Sequence, residues 1–232
     1  VLGELRADDE RSVAVVGTRR PTAYGREVAY QLTHDIARSG VTIVSGLARG
    51  IDAIVHRAAL EAGQRTIAVL GSGPDVIYPR EHANLAEEIT RNGAVITEHP
   101  PGVRPDAQNF PRRNRIMSGM TLGTVVVEAP EGSGSLVTAN HALEQGREVF
   151  AVPGNIFAPS SRGVNKLISQ SGAKLVQDSN DILEELNLSS VGQQIEMTAL
   201  FPQDDNESQI LPYVTSDPVH IDAIIRNAGL DI

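Results

Sequence analysis

Short unbroken apolar runs alternate with stretches of helical spacing from about residue 12 to residue 188. Val13-Ala14-Val15-Val16 ends at Gly17, and a helix pattern follows from about Tyr24 to Ser39. In that pattern Val28, Leu32, Ile36 and Ala37 share one face, and Gly40 supplies the stop. The same alternation repeats along the chain. Val41–Val44, Thr66–Leu70, Ala94–Thr97, Thr124–Glu128, Glu148–Val152 and Lys174–Val176 read as strands. The helical stretches between and after them are Asp52–Ala62, Glu81–Asn92, Arg112–Ser118, Leu136–Gln145, Asn165–Ser171 and Ser179–Leu188. Glu98–Pro111 is proline-rich and irregular, and connections of that length are often functional.

Continuous apolar strands separated by helices predict a doubly wound, mostly parallel α/β sheet of the extended Rossmann-like type. Right-handed crossovers bring the C-terminal ends of the strands to one edge, where ligands bind. That edge collects Gly17-Thr18-Arg19-Arg20, Ser45-Gly46, Gly71-Ser72-Gly73, Glu128 and Gly132-Ser133-Gly134-Ser135. Glycine-rich turns leading into helices offer backbone N–H groups to anions. A full dinucleotide fingerprint and a Walker A loop are both absent, so no nucleotide cofactor is expected. Asp52 reads as the N-cap of the helix that follows it.

A second constellation is Phe110-Pro111-Arg112-Arg113-Asn114-Arg115. Cations at a helix start oppose the helix dipole, so stability alone does not recommend three arginines there. Arginine grips phosphate in a fork and an aromatic ring offers a stacking face, which together suit single-stranded nucleic acid. His56, His99 and His141 form no catalytic triad or metal-ligand spacing. His56, among apolar residues, reads as a packed core side chain.

Composition narrows the picture. The 232 residues contain no Cys, which excludes a disulfide scaffold, a thiol nucleophile and a Cys-ligated zinc. No apolar run approaches the roughly 18 residues that span a bilayer, so a soluble cytoplasmic protein is expected, with no membrane partner. The net charge of -9 argues against a uniformly nucleic-acid-coating surface. Aromatic residues make up only 3%, which limits base stacking to a few positions, chiefly Phe110, Tyr78 or Tyr24. Residues 189–232 hold seven acids and one base. Residues 189–209 read as an acidic linker, and 210–232 as part of a small helical domain too short for its own core. This acidic tail is expected to compete with DNA for the basic pocket.

Taken together, the stretches Val15–Arg20, Ser45–Ala53, Thr66–Gly73 with Tyr78-Pro79, Asn109–Ile116, Val126–Ala129 with Ser133–Ala139, and Gly146–Gly154 resemble the DNA-processing protein A (DprA, or Smf) family. The likeness covers about residues 12–188, in the family's order. It implies a Rossmann-like domain over 1–188 that forms a homodimer and binds single-stranded DNA. It further implies protection of incoming DNA during natural transformation and loading of the RecA recombinase, with no metal, cofactor or catalytic reaction. The family's pocket maps onto Arg19, Phe110, Arg112, Arg113 and Asn114, with Ser133 and Ser135 holding phosphate. Added to these from the same strand ends and helix start are Gly17, Thr18, Arg20, Ser45, Gly46, Gly71, Arg115 and Gly134. Only about a dozen residues precede the Rossmann-like part here, whereas many members carry a helical domain before it, and many end in a winged-helix-like domain of which 210–232 resembles the first half.

An enzyme is the competing expectation. Proteins once labelled lysine-decarboxylase-like, which cleave nucleoside monophosphates, are similar in architecture. They carry a Pro-Gly-Gly-x-Gly-Thr-x-x-Glu loop, and Pro130-Glu131-Gly132-Ser133-Gly134-Ser135 lacks both the paired glycines and the closing glutamate.

Overall fold

The computed structural model describes residues 1–188 and 220–228. The chain divides into two units, Val1–Leu188 and Ser189–Ile232. The first holds eight strands: β1 Leu2–Gly3, β2 Ser12–Val16, β3 Thr42–Ser45, β4 Thr66–Val69, β5 Ala94–Ile96, β6 Gly123–Val126, β7 Glu148–Ala151 and β8 Lys174–Leu175. Its seven α-helices are α1 Ala23–Arg38, α2 Ile51–Glu61, α3 Ala83–Asn92, α4 Asn109–Gly119, α5 Gly134–Glu144, α6 Arg162–Ser169 and α7 Asn180–Glu185. In the second unit the described residues form α8, Ile221–Ala228. The expected linker over 189–209 and the rest of the segment 210–232 lie outside the described residues.

The strands form one sheet in the order β1-β5-β4-β3-β2-β6-β7-β8. All pairings are parallel except β1 with β5. The mostly parallel Rossmann-like sheet expected from the apolar runs is therefore present. Side chains alternate across it. Val13 and Val15 of β2 face a core with Ile36, Ile43, Ile51, Phe150 and Ile182. Val16 faces the opposite core, with Val44, Val69, Met117, Val126 and Ala139. Both faces are covered, which is why the strands read as unbroken apolar runs.

Three expectations are corrected. A two-residue strand, β1, lies outside the apolar pattern and adds antiparallel to the outer edge of β5, at Leu2↔Val95 and Gly3↔Ala94. Helix α4 starts at Asn109, so Pro111 lies in its first turn, where its missing N–H costs nothing. The N-cap of α2 is Gly50, not Asp52. Gly50 has φ 79, and an added Cβ would lie 2.4 Å from the Thr18 carbonyl oxygen. Only glycine allows this turn to pack so closely on the loop after β2.

Strand order sets the site. From β2 the chain builds outward through β3, β4 and β5, then returns to place β6 on the other side of β2. The switch point therefore falls between β2 and β6, where an open α/β sheet forms its crevice.

Candidate functional site

A cleft of about 670 Å³ opens at that switch point. Gly17, Thr18 and Arg19 come from the loop after β2, and Phe110, Arg113, Asn114 and Met117 from α4. Ser133, Gly134, Ser135 and Thr138 come from the start of α5, and the rest of the lining includes Ala48, Asp52, Tyr78, Pro105 and Ala107.

Arg113 lies at the floor and is 4% exposed. Its Nη1 donates to the Gly46 carbonyl at 2.9 Å and to the Val69 carbonyl, and its Nε donates to Asn114 Oδ1 at 3.2 Å. One guanidinium thus ties the ends of β3 and β4 to α4. Burial lowers its pKa to about 10; nearby Asp52 opposes the shift and the Arg19 charge adds to it. Asp52 is also buried, and burial raises its pKa against the opposing pull of Arg113. Its Oδ2 accepts the Ala48 N–H at 3.3 Å. Asn114 donates from Nδ2 to the Gly134 carbonyl at 3.2 Å, joining α4 to the first turn of α5.

The rim is built differently. The exposed Arg19 guanidinium carbon lies 5.6 Å from the centre of the Phe110 ring, a cation–π contact. Phe110 sits beside Gly71, where an added Cβ would come within 3.0 Å of its Cδ1. At the opposite wall Ser133 caps α5, and its Oγ lies 2.7 Å from Ser135 Oγ. One turn further on, Thr138 lines the cleft, and its buried Oγ1 has no hydrogen-bond partner among the described residues.

Nine residues singled out in the sequence meet in the cleft lining: Gly17, Thr18, Arg19, Phe110, Arg113, Asn114, Ser133, Gly134 and Ser135. The others do not line it. Ser45 is fully buried and donates its hydroxyl to the Val15 carbonyl at 2.7 Å. Gly46 makes room for the Arg113 guanidinium, 2.4 Å from where its Cβ would be, and Gly71 makes room for Phe110. Arg20 and Arg112 are exposed outside the lining. Arg115 pairs with Glu98 at 2.5 Å. Thr138 and Asp52 were not assigned to the site from sequence, and Tyr78 was named only as a stacking candidate. A threonine one turn into a helix has no sequence signature of its own.

Of the acid–base candidates, Glu128, His56 and His141 each have a side-chain partner, whereas the buried His99 Nε2 has none among the described residues. The Glu128 carboxylate accepts the N–H and hydroxyl of Thr22, both at 2.9 Å. His56 is buried with Nδ1 2.7 Å from Thr66 Oγ1, and burial lowers its pKa to about 3. His141 faces Glu144 at 3.4 Å. Among the described residues no group of three or more His, Asp or Glu could hold a metal, and no helix is long and apolar enough to cross a membrane.

A second groove, of about 430 Å³, lies along the same sheet edge beyond β6. Its lining includes Thr22, Tyr24, Glu128, Pro153, Gly154 and Asn155. Tyr24 donates its hydroxyl to the Pro153 carbonyl at 2.8 Å.

Fold and cleft define a Rossmann-like α/β protein whose switch-point crevice combines an exposed arginine, an aromatic ring and a helix N-terminus. The chain belongs to the DNA recombination-mediator protein A family, whose model matches residues 1–187. It is 52% identical over 176 residues to the DNA processing protein DprA of Bacillus subtilis, covering 76% of this chain and 59% of that protein. The chain thus spans well under two thirds of that relative's length. Among solved structures, DprA of Streptococcus pneumoniae superposes with TM-score 0.71 at 44% identity, covering 75% of this chain and 61% of that one. DprA of Helicobacter pylori, described for its single-stranded DNA binding mode, superposes with TM-score 0.73 at 29% identity. That match covers 80% of this chain and 85% of the other.

Proposed function

We propose that this chain binds single-stranded DNA in the crevice between β2 and β6. The observation that carries the proposal is the convergence there of Arg19, Phe110 and the N-terminal turn of α5. Arg19 meets a phosphate, Phe110 supports a base, and the α5 N-terminus with Ser133 and Ser135 receives a second phosphate. Membership of the family and the description of the H. pylori protein support the reading.

In its full form the proposal is a recombination mediator of the cytoplasm. Two copies align their crevices on one strand, shield incoming DNA during natural transformation, and pass it to the RecA recombinase. The strand is held, not converted. The engagement of Glu128 with Thr22 and of His56 with Thr66 supports binding without chemistry.

Fluorescence anisotropy with a labelled single strand and its duplex, across a salt series, tests the core of this. The single strand should bind more tightly, with affinity falling steeply as salt rises because phosphate contacts release counterions. Equal binding of both forms, or none at low salt, would overturn it. A dimer should favour strands long enough to reach both crevices. Equal affinity per site for 10-mers and 60-mers would remove the two-crevice arrangement.

A further inference from the structure

Phe110 is enclosed on several sides. Arg19 lies over its ring, Gly71 lies beneath its edge, and the Tyr78 ring stands beside it. The Tyr78 and Phe110 centroids are 5.7 Å apart and their planes are tilted by 39°. Phe110 is therefore only half open to the cleft. Tyr78 is 41% exposed at the cleft mouth. It also borders a small niche formed with Arg19, Gly46, Arg49, Pro79 and Phe110.

An aromatic ring left in water at the mouth of a cationic cleft has apolar area that a flat partner can cover. A nucleobase is such a partner, because every base has a π-face. A cation stands next to it. Arg49 pairs with Glu81 at 2.5 Å, but both side chains are more than half exposed. Exposed pairs are weak, so a phosphate can take Arg49 from Glu81.

We infer that Tyr78 is a second base-stacking platform beside Phe110, so that the crevice grips two successive nucleotides, with Arg49 meeting the phosphate next to the second. The inference rests on the single-strand reading of the cleft. It adds to that reading a contact residue, a footprint and a cation.

The test uses the full chain and an oligothymidylate carrying one 2-aminopurine. Tyr78→Phe keeps the ring and should bind within about twofold of the parent. Tyr78→Leu should bind about tenfold more weakly, with less quenching of 2-aminopurine at saturation and an unchanged melting temperature. Tyr78→Trp, which enlarges the platform, should bind at least as tightly as the parent and tests the ring in a second way. Arg49→Gln should lower the salt slope by about one phosphate's share.

Parent-like affinity in Tyr78→Leu would overturn the platform while leaving the cleft reading intact. Equal losses in Tyr78→Phe and Tyr78→Leu would assign the effect to the hydroxyl and also overturn it. An unchanged salt slope in Arg49→Gln would remove Arg49. Absence of single-strand binding by the parent chain is a different result, and it defeats the cleft reading itself.

Discussion

Two hollows share the C-terminal edge of one sheet, and each lies at the N-terminus of a helix. In the β2/β6 crevice the helix is α5, and its first turn carries the hydroxyls of Ser133 and Ser135. In the neighbouring groove the helix is α1, and the Glu128 carboxylate already accepts from Thr22 at its cap. A helix N-terminus carries about half a positive charge. Glu128 offsets that charge in the groove, whereas Glu131, two residues before Ser133, is exposed and lies 3.9 Å from Lys166. Gly25 makes the arrangement possible, since a Cβ there would lie 2.1 Å from Glu128 Oε2. Topology thus opens two helix N-termini at one sheet edge, and a buried carboxylate engages one of them.

The largest effect expected from breaking this contrast is at the crevice floor. Arg113→Ala leaves Asp52 buried without its neighbouring cation and two strand-end carbonyls without their donor. Stability should fall by about 1–3 kcal/mol in a urea titration, the cost of leaving buried acceptors without a donor. A loss below about 0.5 kcal/mol would mean that Arg113 does not tie the floor together.

Next comes Ser133→Asp, which gives α5 the kind of cap that α1 has. Aspartate is a good N-cap, so the melting temperature should hold. Single-strand affinity should drop about tenfold or more, because a fixed carboxylate now occupies the anion position. Unchanged affinity would show that the α5 N-terminus does not face phosphate.

The reverse change is Glu128→Gln. It keeps the shape but removes the charge from α1, at a cost of about 1 kcal/mol read in the same titration. DNA affinity should not fall. A loss of binding in this variant would make the groove part of the DNA path. The smallest effect belongs to Arg115→Ala. Its ion pair with Glu98 is exposed and lies outside the cleft lining, so affinity should stay within about twofold.

The acid limb of the stability profile gives a separate check on the core. His56 has its pKa lowered by burial from 6.5 to about 3. As pH falls from 6.5 toward 3, the unfolded chain takes up a proton that the folded imidazole refuses. Stability is therefore full above pH 6.5 and declines below it. His56→Gln should flatten that limb of a melting-temperature series, and an unchanged slope would place the titration elsewhere.

Much of the sheet was legible because both faces are buried. Val13–Val16 or Thr66–Val69 can hardly be read as anything but core strands when every residue is buried. The strand ends were legible for the same reason, since glycine and serine follow each apolar run. What the residues there do was less legible. Gly46 and Gly71 looked like phosphate turns, and the structure uses them to admit Arg113 and Phe110. Ser45 looked like a loop hydroxyl but is bonded inside the sheet to Val15. The roles of the two glycines depend on α4 crossing over the strand ends, which brings Arg113 to carbonyls more than forty positions away. The arginine cluster was visible as a block, but its division into one buried and two exposed members depends on which face α4 turns inward. Strand β1 escaped because two residues, one of them glycine, carry no periodicity.

That small strand has a consequence for how the molecule behaves in a crowded solution. β5 would otherwise present a bare row of N–H and C=O groups, which is a template for runaway strand addition between molecules. Leu2 and Gly3 cover that row, and the far edge ends in the two-residue β8. Gly3 can lie this close only because it lacks a side chain; with φ 79, a Cβ would sit 2.4 Å from the Gly93 carbonyl oxygen. The row left at that margin is thereby cut to the two residues of β1, too short to seed fibre-like growth by strand addition.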